Sequence, residues 1–126
     1  MNYPETAVAI FKAGIESVKP DRLIRDNVAL KGGTFSIGGH EFDLTAFNRI
    51  LVVGAGKASG LMAYALEEVL GDCVSGGTVV VKYGHKAPCR KVEILEAGHP
   101  YPDAAGVEAT KKITAICRDA GEKDLV

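Results

Sequence analysis

The sequence predicts an α/β fold: an open sheet, parallel or mixed, with helices on both faces, preceded by a small helical segment and a β-hairpin. Three observations predict it. Residues 49–53 (Arg-Ile-Leu-Val-Val) form a short, mostly apolar run, as a strand buried on both faces requires. Gly54-Ala55-Gly56 follows at once, and residues 57–70 then read as a helix, with Leu61, Met62, Ala65, Leu66 and Val69 on one face and Gly71 as its C-terminal cap. A second apolar strand at Thr78–Lys82 completes a strand, glycine turn, helix, strand unit.

The chain has 126 residues, of which 47% are apolar and 25% charged, the mix of a globular domain and not of a disordered tail. With 15 Lys and Arg against 16 Asp and Glu, the net charge is −1, so there is no electrostatic footprint for nucleic acid or an anionic membrane. Cys73, Cys89 and Cys117 form neither a C-x-x-C pair nor a zinc spacing, which reads as reduced thiols. The N-terminus lacks a basic segment followed by an apolar stretch, and no apolar run approaches the roughly 18 residues of a membrane helix. A cytoplasmic location is expected.

Residues 4–19 are expected to be helical from Ala7, Val8, Phe11, Ile15 and Val18, with Glu5 in the first turn. Pro20-Asp21 then starts a short second helix through Leu23 and Ile24, and the two helices read as a covering layer. Residues 28–44 suggest a β-hairpin. Phe35 and Ile37 alternate, as do Phe42 and Leu44, and Gly38-Gly39 supplies the turn, with His40 beside it as a solvated strand residue. A third sheet strand is expected near Val92–Ala97, but residues 83–90 are too few for a crossover helix, so strands two and three are not expected to be ordinary parallel neighbours. Pro100 and Pro102 stiffen the next turn, and Asp103 caps a helix through Val107, Thr110, Ile113 and Ile116 that Gly121 ends. Leu125-Val126 reads as the opening of a fourth buried strand pairing next to strand one or three, so the chain reads as part of a longer α/β protein.

Chemistry concentrates in two places. Glycines between a buried strand and a helix let backbone N–H groups approach an anion, and the helix N-terminus favours negative charge. Gly54, Ala55 and Gly56 with Ser59 are therefore candidate binding residues. Lys57 either reaches solvent or neutralises a phosphate or carboxylate beside those N–H groups. The loop matches neither a Walker A sequence nor a full dinucleotide fingerprint, since Ser59 holds the third glycine place with Gly60 one later, and Lys82 stands where an acidic residue would receive a ribose. The second place is the strand-three edge, where His99 and Asp103 read either as ligand contacts or as a proline-stiffened turn with an N-cap. His85 and Lys86 would share that edge.

RILVVGAGKASGLMAYALEEVL, SGGTVVVKYGH and EILEAGHPYPDAAG, in this order and spacing, resemble the N-terminal region of the glycerate 2-kinase family, some members of which are labelled hydroxypyruvate reductases. The resemblance covers nearly the whole chain. It implies a Rossmann-like domain and ATP-dependent phosphorylation of the 2-hydroxyl of D-glycerate with Mg²⁺. It further implies that residues 1–126 are the N-terminal part of that domain, and that Lys57 matches the lysine of the family's GAGKA segment at the active site. The family's later glycine- and serine-rich loop and second domain are not in this sequence, so the chain alone is expected to be inactive. The alternatives are an NADPH-dependent hydroxypyruvate reductase, which the glycine turn and Lys82 permit, and a non-catalytic nucleotide-binding module. No metal ligand among these residues is assigned, and neither is an oligomeric state.

Overall fold

The computed structural model describes residues 2–126. In chain order the elements are α1 (Tyr3–Ser17), α2 (Pro20–Asn27), β1 (Val28–Lys31), β2 (Thr34–Ile37), β3 (His40–Asp43), β4 (Arg49–Ala55), α3 (Ser59–Leu70), β5 (Gly76–Lys82), β6 (Val92–Ala97), α4 (Ala104–Asp119) and β7 (Asp124–Leu125). Strands β1–β3 form an antiparallel meander, and the other four form a parallel sheet in the order β6-β5-β4-β7. That is the Rossmann-like order, running outward in one direction through β4, β5 and β6 and then returning to place β7 on the other side of β4.

Side-chain alternation along the parallel strands sorts the layers. Val79 and Val81 of β5 face α3, where they join Ala63 and Leu70 in the core. Thr78 faces the opposite way, to Glu93, which Lys112 of α4 reaches at 2.8 Å. Helix α3 is covered on its far side as well, because Ile24 of α2 and Val28, Phe35 and Leu44 around the meander belong to the same cluster. The buried positions of α3 are Gly60, Ala63, Ala65, Glu67 and Leu70, whereas Leu61 and Met62, expected on the buried face, are exposed. The expected covering layer is half right. Helix α2 packs on α3, whereas α1 has no buried residue.

Two departures from the sequence reading have plain causes. The hairpin has a third strand, because Gly32 and Gly33 (φ 55° and 85°) make a first tight turn ahead of the one at Gly38-Gly39. Strands β5 and β6 are parallel neighbours, from Gly77 opposite Val92 to Lys82 opposite Ala97, although no helix connects them. Residues 83–91 return as an extended loop. At about 3.3 Å per residue such a segment spans about 30 Å, enough to retrace a strand about 20 Å long.

The loop replaces a helix by lying on α3, and two residues of α3 make that possible. A Cβ at Gly60 would stand 3.0 Å from the His85 carbonyl oxygen and 3.1 Å from Val81, so only glycine allows the approach. Glu67, 4% exposed, accepts the backbone N–H groups of Arg90, Lys91 and Val92 at 2.8, 2.8 and 2.6 Å. Burial alone would raise its carboxyl pKa. The three donors outweigh that and hold it below the ordinary value.

The expected fourth strand pairs with β4, with Asp124 opposite Arg49 and Leu125 opposite Ile50. Arg49 clasps Asp124 with two nitrogens, at 3.0 and 2.7 Å, and reaches Asp119 at the end of α4 at 3.0 Å. These contacts fix the sheet's order reversal beside β4, and so the place where an open α/β sheet binds its ligand.

Candidate functional site

The turn after β4 sits at the carboxyl edge of the sheet. Gly56 adopts φ 124°, a conformation that L side chains avoid, and its N–H donates to the Val80 carbonyl at 3.0 Å. Gly54 is less constrained, since an added Cβ would make only ordinary contacts with Val79 and Ser59. The Ser59 hydroxyl turns back to the Gly56 carbonyl at 2.6 Å, so it shapes the turn. Ala55, Gly56 and Lys57 are exposed at the start of α3, whose first N–H groups lack intrahelical acceptors by construction.

A cleft of about 1170 Å³ opens from this turn along the α4 side of the sheet. Gly56 and Lys57 line it from one side, Gly98, His99 and Pro100 from the other, and Val80 and Lys82 form part of its floor. Two separately identified segments of the sequence therefore meet here. Lys111, Arg118 and Asp119 of α4 line the far end. Lys111 pairs with Glu108 and Asp119 with Arg49, whereas Lys57, Lys82 and Arg118 have no carboxylate at ion-pair distance among the described residues. The surplus is cationic and suits an anionic ligand. Lys111 and Arg118 were not singled out in the sequence; their spacing of seven on one helix face was the available signal.

Asp103 behaves differently. It caps α4 through the Gly106 N–H at 3.0 Å, and its other oxygen accepts the Tyr83 hydroxyl at 2.7 Å. The Tyr83 hydroxyl first, then the Gly106 and Gly98 N–H groups, hold its carboxyl below the usual range. His85 lies on the α3 side, with Nδ1 3.1 Å from the Tyr83 carbonyl, and neither it nor Lys86 lines this cleft. No three His, Cys, Asp or Glu side chains converge as a metal cage among the described residues. These residues therefore do not fit Mg²⁺ as a resident ion. The cationic, glycine-lined turn does fit phosphate or carboxylate.

Residues 6–126 match the DUF4147 family, a domain of unknown function. The chain belongs to the DUF4147 family. The chain is 35% identical over 121 residues to a D-glycerate 2-kinase from Thermotoga maritima, covering 95% of this chain and 26% of that protein. It is 49% identical over 78 residues to a protein from Agrobacterium vitis described as "Putative hydroxypyruvate reductase", covering 62% of this chain and 20% of that one. A crystal structure of a Pyrococcus horikoshii protein superposes with a TM-score of 0.83 at 29% identity, over 98% of this chain and 28% of that one. A crystal structure of a Thermotoga maritima glycerate kinase does so with a TM-score of 0.72 at 34% identity, over 95% and 26%. The glycerate kinase resemblance and the α/β fold expected from sequence are thus borne out. The chain spans 18–28% of the length of the curated relatives it matches. Among the described residues, no helix is long and apolar enough to cross a membrane.

Proposed function

We propose that residues 1–126 are the N-terminal part of a glycerate 2-kinase, and that the full-length protein phosphorylates the 2-hydroxyl of D-glycerate with ATP. One observation carries the reading. Lys57 and His99, from different segments, face one cationic cleft at the sheet's carboxyl edge, in a chain aligned along 95% of its length with a D-glycerate 2-kinase. In the transfer, the glycerate 2-oxygen bonds to the γ-phosphorus, the bond to the β–γ bridging oxygen breaks, and ADP leaves. The hydroxyl proton passes to a base outside these residues.

Within that reaction Lys57 neutralises the substrate carboxylate or the phosphoryl group as charge develops, because a compact ammonium beside free N–H groups is a preorganised stabiliser. The backbone of Gly56 lies against the same anion, Gly54 and Ala55 deliver that glycine from the end of β4, Ser59 holds the turn's shape, and His99 closes the cleft from the opposite wall. Mg²⁺, when present, is carried by the nucleotide phosphates, as this ion prefers when few carboxylates are offered. The 126-residue chain alone does not turn over, because phosphoryl transfer depends on positioning and charge from several elements.

The Agrobacterium relative's name and Lys82 at the end of β5 favour a second reading, an NADPH-dependent hydroxypyruvate reductase. The full-length protein decides between them. Release of ADP and 2-phosphoglycerate from ATP and D-glycerate supports the kinase. Oxidation of NADPH by hydroxypyruvate without ADP release replaces it, and nucleotide binding without either turnover reduces the protein to a binding module.

A further inference from the structure

The loop that carries His99 is tied down by Tyr83, the residue just after β5. His99 follows Gly98, and Gly98 has no room for a side chain: a Cβ there would stand 3.0 Å from an Asp103 carboxylate oxygen and would collide with the Tyr101 carbonyl. Asp103 packs its carboxylate against the Gly98 backbone, while its Oδ1 accepts the Gly106 N–H at 3.0 Å. Its Oδ2 is held by the Tyr83 hydroxyl at 2.7 Å. Tyr83 directly follows Lys82, a cleft residue, and its own N–H donates to the Ala97 carbonyl at 3.3 Å. One tyrosine thus joins the end of β5, the end of β6 and the start of α4.

We propose that Tyr83 and Asp103 are a positioning pair that fixes the His99 loop, so that His99 meets the cleft opposite Lys57 in a single arrangement. Asp103 acts through the backbone it gathers and does not itself touch substrate. The capping bond alone would fix α4, but not Gly98. The added tyrosine contact holds Oδ2 against Gly98 while Oδ1 caps α4. Tyr83 is about half exposed, so its hydroxyl could be satisfied by water at little cost to folding. Its value lies in geometry, where a displacement of about 1 Å in a positioned group can cost up to 10²-fold in rate.

The kinetic half of this inference rests on the kinase reading. The structural half does not. The test uses the full-length protein with Tyr83→Phe, Asp103→Asn and the double variant. Amide hydrogen exchange at Gly98 and His99, kcat, KM for D-glycerate and Tm are measured for each. Tyr83→Phe is expected to speed exchange at Gly98 about tenfold and lower kcat about tenfold, with KM within about twofold and Tm nearly unchanged. Because the pair acts as a unit, the double variant should be no slower than Asp103→Asn. Unchanged exchange at Gly98 in Tyr83→Phe overturns the proposal. So does faster exchange with unchanged kcat, or losses that multiply in the double variant. If the wild-type protein shows no ATP-dependent turnover of glycerate, the kinase reading falls, and exchange at Gly98 still decides whether the pair holds the loop.

Discussion

Replacing Glu67 by Ala should be among the most damaging single changes in the chain, although Glu67 is remote from the cleft. Its carboxylate is the acceptor for three consecutive N–H groups at 2.6–2.8 Å, and nothing else in the geometry substitutes for it. The Val92 N–H bond is buried, so leaving that donor unmet costs about 2–3 kcal/mol. The Arg90 and Lys91 bonds are partly buried, and with some access to water each loses about 1 kcal/mol. The sum, about 4 kcal/mol, is a large share of the 5–15 kcal/mol typical of a domain, and corresponds to a fall in Tm of about 10–20 °C. Glu67→Gln keeps one acceptor oxygen but turns an NH₂ toward a backbone donor, so it should lose about half as much. The pH dependence has a definite sign. The folded carboxyl sits below its ordinary value of 4.5, so its contribution is complete above that value and is lost as pH falls through the folded one. Urea unfolding of wild type and both variants between pH 3 and pH 7 measures this. A loss below about 1 kcal/mol for Glu67→Ala, or a pH slope unchanged in Glu67→Gln, would refute the reasoning.

Other outcomes follow from the same geometry. Arg49 holds the Asp124 carboxyl down at about 2, helped by the Gly121 N–H, so Arg49→Gln should raise it toward the ordinary 3.8 and loosen β7. A carbon-13 NMR titration of the Asp124 carboxyl reads this directly, with that pair's stabilisation present above 3.8 and fading toward 2. Gly77 has φ 150°, and a Cβ there would run into the Val52 backbone across the β4–β5 pair. Gly77→Ala should therefore cost about 3 kcal/mol or more, seen as a lost or sharply lowered melting transition.

The parts of the fold that the sequence made legible are those with local causes. A continuous apolar run, two glycines and an apolar helix define β4 and α3 without help from elsewhere, and Asp103 announces α4 by its capping chemistry. What was illegible depends on partners distant in sequence. The parallel β5–β6 pairing looked unfavourable because the rule that parallel strands need a helical crossover is a rule about covering a sheet face, and here α3 covers it while Gly60 and Glu67 seat a bare loop on top. A lone Glu between Ala63 and Leu70 on a buried helix face was the visible hint. The third meander strand was missed because Gly32-Gly33 was not read as a turn. In the candidate site, the neighbourhoods of Lys57 and His99 point to the sheet edge where the two residues line one cleft, whereas the Tyr83–Asp103 bond joins residues 20 apart in the chain and has no sequence signature.

If Lys57 serves an anion at the sheet's carboxyl edge, Lys57→Met in the full-length protein exposes that role most directly. The side chain is exposed at the start of α3, where a cation slightly opposes the helix dipole, so the melting temperature should hardly change. Steady-state turnover of ATP and D-glycerate should fall by roughly 10²–10³, the scale on which one preorganised stabilising donor acts, and Lys57→Arg should recover only part of it. Near-normal turnover in Lys57→Met would contradict the account and make the lysine a bystander to the chemistry.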